Sequence, residues 1–469
     1  MINPEAIFST RVVMGKKYVF RFLRYQIVII SFLLVNPVLG AQDRSESFTD
    51  SVSINECICY ALKHQPLVNQ LKIDERIADQ DIKISLADWF PQINSGAGYQ
   101  NYLKQPVSVF PNFSDPAGPK INVTTGVKNY SNLQFSAGQK LLSNDLISAS
   151  RTAKFYRQQV KQTGQKEAIQ LVADISKAFY DVLLSQQMLS IINDEIDRLT
   201  VSLKDALTFF KNGLKDKIDY SRATMALNSA RSQKVSMTNS IIAKLAYLKQ
   251  LMGYPEEKPL FLKKTIEEMK EEIMIDTLKG IRYSDRIEYK LLETDIRLQK
   301  LLVGYNRLSF LPSMSAYANY NIIYQNDDFR QLYSKSFPNS SVGLSLSLPI
   351  FEGGKRIHEL EKSKLTFDRL ALDTLNLRNE INTEYVQALA SYRSNLAAYN
   401  LTSQTMDIAR DVYNTVLSQY REGIKPYLEL IISETDLKTA QLNNLNSLIM
   451  LMFSKIDVDK ASGRIFVNY

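Results

Sequence analysis

The segment SLSLPIFEGGKR, residues 345–356, decides how this chain is built, because it joins two different periodicities. Up to and into this segment, apolar and polar residues alternate with the two-residue period of a β-strand. After it, residues 355–422 contain neither Gly nor Pro and predict one helix about 100 Å long. The joint between strand and helix is therefore predicted at Pro349, Gly353 and Gly354.

The same plan occurs twice along the chain. WFPQINSGAGY (residues 89–99) is similar to FLPSMSAYANY (residues 310–320), where a helix ends at a Pro and an alternating segment begins. FFKNGLKDKIDY (residues 209–220) is similar to QYREGIKPYLEL (residues 419–430), where a long helix ends at a Gly. Internal similarity at such spacing predicts two tandem structural repeats.

We assign the repeats to residues 52–252 and 281–462. In each, a helix is followed by a strand pair, a long helix and a return helix. In the first repeat the strand pair is predicted at 92–141, the long helix at 144–212 and the return helix at 213–252. In the second repeat the strand pair is predicted at 313–350, the long helix at 355–422 and the return helix at 423–460. The individual strands are predicted at 92–102, 129–141, 313–324 and 341–350.

The N-terminus has the pattern of a secretory signal peptide. Arg21 and Arg24 precede the apolar run 27–39, which is too short for a membrane-spanning helix and is followed by small residues. We predict a signal peptide over residues 1–40 and a linker over residues 41–51. The mature chain is then exported.

Charge and residue counts argue against several classes of function. Residues 1–40 carry five basic and one acidic residue, so their removal leaves +4 of the formal net charge of +8, without a concentrated basic face for nucleic acid. The two histidines, His64 and His358, are far apart in sequence, and the two cysteines, Cys57 and Cys59, lie in one predicted helix. No catalytic, metal or cofactor site is therefore predicted.

The four predicted strands have the length that a tilted transmembrane β-strand requires. Four strands cannot close, and open edges in lipid would leave backbone groups unsatisfied, so other copies must complete a barrel. Two chains would give eight strands and three would give twelve. The small or polar Gly343, Ser345 and Ser347 share one face and favour the wider, water-filled barrel. The predicted class is an α+β membrane protein.

Two motifs give the chain its resemblance to the TolC family of outer-membrane efflux and secretion channels. LSLPIFEGGKR (residues 346–356) resembles the family's strand-to-helix signature, and QYREGIKPYLELIISETDL (residues 419–437) resembles its hairpin tip. The likeness covers about residues 52–462. It implies a homotrimeric twelve-stranded barrel in the outer membrane, continued by a long α-helical barrel across the periplasm. Residues 253–280 would belong to its mixed equatorial belt, and residues 463–469 to a C-terminal tail.

The first repeat departs from the family's pattern at its joint. Leu142, Ser143, Asn144 and Asp145 stand where the resemblance calls for Phe, Asp or Glu, and two Gly. A less sharp bend is expected there.

The resemblance implies the outer-membrane channel-tunnel of a tripartite efflux or type I secretion system. Cargo would pass passively from an inner-membrane transporter of the RND, ABC or MFS class, reached through a periplasmic adaptor. The sequence has no phosphate-binding loop for energy coupling and no convergent set of catalytic groups. We therefore expect a non-enzyme that contacts outer-membrane lipid.

The resemblance also transfers gate residues to this chain. Asp219 falls on the first-repeat gate acid, Tyr420 on its tyrosine partner, Lys425 on a basic link residue and Glu429 on a pore-ring acid. Ile432 takes the place of the second ring acid, so a single acidic ring is implied.

The same alignment implies an adaptor-docking surface at the turns between the helices. The residues concerned are Gly213, Leu214, Gly423 and Ile424.

Two other interpretations remain open on the sequence alone. A cell-envelope scaffold or adhesion protein with long coiled coils would also show strut-length helices, but it would have no closed barrel. A secreted enzyme would need a convergent constellation. The cargo, whether drug, metal, lipid or polypeptide, is not specified by the residues.

Overall fold

A computed structural model describes residues 51–111, 118–213, 216–263, 268–269, 271, 273–274 and 280–467. The predicted signal peptide, the linker up to residue 50, Leu214, parts of the segment 253–280 and the last two residues of the tail lie outside the described residues. All structural statements below concern the described ranges.

The described chain contains long helices and two small sheets. The strands are β1 (Gln92–Asn101), β2 (Val107–Phe110), β3 (Ile121–Thr124), β4 (Asn129–Leu142), β5 (Ser313–Asn326) and β6 (Ser336–Ser347). The α-helices are α1 (Ile54–His64), α2 (Pro66–Ala87), α3 (Asn144–Lys211), α4 (Lys217–Met252), α5 (Ile287–Leu308), α6 (Lys355–Arg421) and α7 (Tyr427–Ala461). Short 3₁₀ turns occur at Tyr283–Asp285 and Phe329–Gln331.

The larger sheet is antiparallel, with strand order β1-β4-β5-β6. Its central pair joins the two halves of the chain, with Phe135 opposite Tyr320. Apolar side chains on one face of the sheet are exposed to solvent in the single chain. Val342 and Leu344, for example, are 84% and 69% exposed. Polar and small residues such as Ser345 alternate with them, so the sheet has one apolar and one polar face.

The predicted last strand, 341–350, was misplaced. The structure has β6 at Ser336–Ser347, because β5 is long enough to pair with it from Ser347 back to Ser336. The strand ends before Pro349, which has no N–H to donate to a ladder. Pro338 lies within β6, which is an edge strand of the sheet in the single chain.

Other element boundaries also differ from the predicted ones. The first helix is broken at Gln65, where Pro66 begins α2. The return helices begin at Lys217 and Tyr427, four residues after the tip glycines. At the second tip, the turn 424–426 separates Gly423 from the helix. The antiparallel pair β2–β3 lies between the predicted strands 92–102 and 129–141, where the sequence analysis assigns no strand.

The helices pack in a fixed order. Near the sheet α2, α3, α5 and α6 lie side by side, each in contact with the next. Away from it α3 pairs with α4 and α6 pairs with α7, and α3 also contacts α7, which connects the two hairpins. None of the described helices is both long and apolar enough to cross a membrane.

Candidate gate at the helix tips

The two helical hairpins turn at glycines with left-handed backbone. Gly213 has φ 67° and Gly423 has φ 78°, a conformation that costs a side-chain-bearing residue about 1–2 kcal/mol. The Gly423 amide donates to the Tyr420 carbonyl at 3.0 Å, and the Ile424 amide donates to the Gln419 carbonyl at 2.9 Å. These bonds satisfy the last carbonyls of α6 and end the helix.

A cluster of buried side chains holds the two hairpins together beside these turns. We call it the tip cluster, and it contains Ala206, Ala223, Tyr413, Tyr420, Tyr427, Leu430 and Leu437. The members come from all four helices α3, α4, α6 and α7. The Tyr420 and Tyr427 rings lie 5.7 Å apart between centroids, at a tilted angle of 54°. The tip is therefore a packed four-helix junction.

Two of the predicted gate residues lie at this junction. Asp219 lies on α4 one turn before Ala223, and Ala223 and Tyr420 both belong to the tip cluster. Burial raises the pKa of the Tyr420 hydroxyl, and the negative charges of Asp205 and Asp219 raise it further. Tyr420 thus stays protonated and can donate to an acid across the hairpins.

The other two predicted gate residues pair across the start of α7, since Lys425 lies in the turn before this helix and Glu429 lies on its first turn. Lys425 Nζ lies 2.6 Å from Glu429 Oε2, and both side chains are partly exposed. An exposed ion pair is worth only about 0.2–1 kcal/mol, so it is easily broken. Ile432, at the position of the second ring acid, is half exposed.

The predicted docking residues are open to solvent in the single chain. Ile424 is 66% exposed, and a Cβ built on Gly213 or Gly423 would meet nothing within 4 Å. Leu214 lies outside the described residues.

Sequence reasoning missed four charged residues between α3 and α7. Arg198 Nε donates to Glu434 Oε1 at 3.0 Å, and Lys438 Nζ lies 3.1 Å from Glu195 Oε1. We call these residues, Glu195, Arg198, Glu434 and Lys438, the ion quartet. Glu434 and Lys438 are four residues apart, a spacing that predicts an ion pair within one helix. In the structure each of them instead forms its ion pair with a residue of α3.

The ion quartet is largely withdrawn from water. The Glu434 and Glu195 side chains are only 4% and 8% exposed. Burial raises the pKa of Glu434, although the Arg198 charge opposes this effect. The Arg198 guanidinium also lies over the Tyr413 ring, 5.7 Å from its centroid, so it contacts both helices of the second hairpin.

At the predicted strand–helix joint, Gly353 and Gly354 both have left-handed backbone, with φ 61° and 82°. Gly354 is the residue before α6, and Arg356 forms two 3.0 Å contacts with Glu352 across the bend. Pro349 follows the strand and blocks further pairing.

The joint of the first repeat is built differently. A single residue, Ser143, separates β4 from α3, and the register of β4 shifts just before it. The side-chain amide of Asn144 donates from Nδ2 to the Tyr305 backbone carbonyl at 2.8 Å, and the Tyr305 hydroxyl donates to Asp145 Oδ1 at 2.8 Å. Contacts with α5 replace the glycines at this bend.

The cysteines differ in their surroundings. Cys57 is buried and burial raises its pKa to about 12, whereas Cys59 is exposed. Within the described ranges, no group of three His, Cys, Asp or Glu residues is placed to hold a metal ion.

The sequence matches the outer membrane efflux protein family over residues 58–254 and 293–451, which is most of the chain. The chain therefore belongs to this family of outer-membrane efflux channels, and it is located in the outer membrane. The resemblance to the TolC family is confirmed.

Individual relatives agree with this assignment. The chain is 23% identical to the alkaline protease secretion protein AprF of Pseudomonas aeruginosa, over 60% of this chain and 59% of AprF. It is 20% identical to the solvent efflux pump outer membrane protein SrpC of Pseudomonas putida, over 63% of this chain and 62% of SrpC. The chain thus spans about three fifths of the length of these relatives.

The fold agrees with solved structures of such channels. The structure of CusC superposes with a TM-score of 0.70 at 15% identity and covers 88% of this chain and 93% of CusC. Four strands per chain and long helices are therefore the shared fold.

Proposed function

We propose that three copies of this chain form a twelve-stranded barrel that continues into a helical tunnel. The observation that carries this proposal is the four-stranded sheet. Among the described strands, β1 and β6 each pair on one side only, and the apolar face is open. In lipid, the edges must be paired by neighbouring copies and the apolar face must contact acyl chains.

The long helices support the tunnel. The 68 residues of α3 and the 67 residues of α6 each span about 100 Å, which suits a passage across the periplasm. We retain the two tandem repeats 52–252 and 281–462, the equatorial segment 253–280 and the tail 463–469 as part of the proposal. In this scheme the joints at residues 142–145 and 349–354 redirect each strand from the membrane into the tunnel.

We further propose that the channel acts in a tripartite efflux or type I secretion system. AprF is named as a secretion protein and SrpC as an efflux pump component, which supports a role in export. Conduction would be passive and non-enzymatic, with energy supplied by an inner-membrane RND, ABC or MFS transporter. A periplasmic adaptor would engage the tips at Gly213, Leu214, Gly423 and Ile424.

The proposed gate combines a contact between hairpins with an acidic ring. Tyr420 facing Asp219 would hold the second hairpin inward, and the three Glu429 carboxylates would surround the axis. Each Glu429 is partly neutralised by its own Lys425, so the ring would attract cations only moderately. Opening would separate Tyr420 from Asp219.

Single-channel conductance in a planar bilayer tests this function, together with the native mass of the detergent complex. We expect a trimer with a small, mostly closed conductance. The double variant Asp219→Ala and Glu429→Ala should conduct more, because both the link and the ring acid are removed.

A matched control replaces acids on α6 far from the tip. Glu361→Ala and Asp373→Ala remove two exposed carboxylates from intrahelical pairs and should leave conductance unchanged. A monomer without conductance in every form would refute the channel and favour an envelope scaffold. A trimer whose tip variant conducts like wild type would refute only the placement of the gate.

A further inference from the structure

We propose that a groove between α3 and α5 binds an anionic phospholipid of the periplasmic leaflet through Arg151, Arg297 and Lys300. The groove is a cavity of about 320 Å³ on the helical side of the first strand–helix joint. We call it the α3–α5 groove, and its lining includes Arg151, Phe155, Arg297, Lys300, Gly304 and Leu308. Of the proposed function, this inference uses only the membrane position of the sheet.

The charges that line the α3–α5 groove are all positive. Its described lining contains three cations, Arg151, Arg297 and Lys300, and neither Asp nor Glu. Within the described part of the chain none of these three side chains forms an ion pair, whereas Arg157, further along α3, pairs with Asp79. Cations that are not neutralised by the protein attract anions to the cavity that they surround. The ligand of this groove is therefore expected to carry negative charge.

The two ends of the groove differ in polarity. Ile147 and Leu308 line the end beside the strands, since Ile147 follows β4 by five residues and Leu308 precedes β5 by five. Arg151 lies about 6 Å further from the strands along α3, and Lys300 lies about 12 Å further along α5. A phospholipid has the same order, because its acyl chains point to the membrane core and its phosphate lies in the headgroup layer. A free phosphate would gain nothing from the apolar end.

A second cavity places the groove next to the ends of the strands. This cavity of about 300 Å³ is lined by Leu142, Ser313 and Ser347, the terminal residues of β4, β5 and β6, and it shares Tyr305 and Leu308 with the α3–α5 groove. The apolar face of the sheet must contact acyl chains, so the strand ends lie near the headgroup layer. Long basic side chains can follow apolar surface and place their charges in this layer. The three cations are therefore within reach of lipid phosphates.

Two features shape the groove for a ligand that carries hydrocarbon chains. The Arg297 guanidinium lies over the Phe155 ring, 5.9 Å from its centroid, and this contact holds the cation at the groove. Gly304 lies between the basic and the apolar end on α5, and a Cβ built on it would meet nothing within 4 Å. The absence of a side chain at Gly304 leaves space that an acyl chain can occupy.

Native mass spectrometry of the purified full-length protein in detergent tests the site by titration with dioleoyl-phosphatidylglycerol and with dioleoyl-phosphatidylcholine. We expect about one retained phosphatidylglycerol per chain and at least about tenfold weaker retention of the zwitterionic lipid. The double variant Arg151→Gln and Lys300→Gln removes two of the three charges. It should weaken the binding of phosphatidylglycerol at least about tenfold, because each basic residue beside an anionic lipid contributes about fivefold.

The matched control is the double variant Lys154→Gln and Arg307→Gln. It removes one cation from each of the same two helices at exposed positions that do not line the groove, so affinity should stay within about twofold of wild type. Gly304→Leu keeps every charge but fills the groove, and it should weaken binding as strongly as the loss of the two cations. Thermal melting without added lipid shows whether each variant is folded. If the double glutamine variant is not, Gly304→Leu and Arg297→Gln carry the test.

Equal retention of the two lipids would overturn the inference, and so would equal affinity of the groove variant and the control variant. Displacement of phosphatidylglycerol by inorganic phosphate at the same free concentration would show a site for free anions and overturn the assignment to lipid. Unchanged binding in Gly304→Leu would show that the cations act as an open charged surface, without the groove. None of these results affects the channel, which is tested by conductance. A monomer that retains phosphatidylglycerol but does not conduct would overturn the channel alone.

Discussion

Tyr427→Ala should loosen the tip without dissociating the protein. Tyr427 is 1% exposed in the tip cluster and packs against the Tyr420 ring. A buried aromatic side chain withdraws about 150–250 Å² from water, which at about 25 cal/mol per Å² amounts to about 4–6 kcal/mol. Since Ala retains the Cβ, we expect a loss of about 3–5 kcal/mol, the range measured for such truncations.

Amide hydrogen exchange of the trimer measures this loss locally. Exchange in residues 420–437 should accelerate by about two to four orders of magnitude, while the sheet keeps its protection. Tyr427→Phe keeps the ring and should stay within about 1 kcal/mol of wild type, because only the hydroxyl beside Ser202 is lost. Leu428→Ala, at the adjacent exposed position, should change exchange little. Equal effects of Tyr427→Ala and Tyr427→Phe would refute the packing argument.

Two further predictions concern the joint and the cysteines. Gly354→Ala should lower the stability of the trimer in thermal melting by about 1–2 kcal/mol, because the backbone φ angle at Gly354 is 82°. Gly304→Ala, in the interior of α5, should instead raise this stability by about 0.5–1 kcal/mol. Destabilisation by both substitutions would contradict the backbone argument. At pH 8 a maleimide should label one thiol per native chain, because Cys57 is buried and burial raises its pKa to about 12. Labelling should disappear in the Cys59→Ser variant. A reactive Cys57 would show that its helix opens.

The sequence patterns predicted those elements that are determined locally. The absence of Gly and Pro between residues 355 and 421 specifies α6, and glycine ends both long helices as expected. The last strand was misplaced because apolar alternation continues past the point where pairing stops at Ser347. Pairing depends on the partner strand, which alternation within one segment does not reveal.

The gate was predictable only in part for the same reason. Asp219 and Tyr420 could be matched through their distance from the tip glycines, and their role in a gate stays a prediction. The ion quartet could not be recognised, because Glu434 and Lys438 at i,i+4 have the spacing of a solvated pair on one helix. Only the packing of α7 against α3 shows that their partners are 236 and 243 residues away in sequence.

The two strand–helix joints imply an order of folding. The bend at Gly353 and Gly354 is encoded by its own backbone and can form as soon as those residues are exported. The bend at Ser143 relies on Tyr305, which leaves the translocation machinery about 160 residues later. Until α5 is present, Asn144 and Asp145 lack their hydrogen bonds with Tyr305, so this bend becomes fixed later than the bend of the second repeat. Truncation before Tyr305 should therefore leave the bend at Ser143 without these two hydrogen bonds.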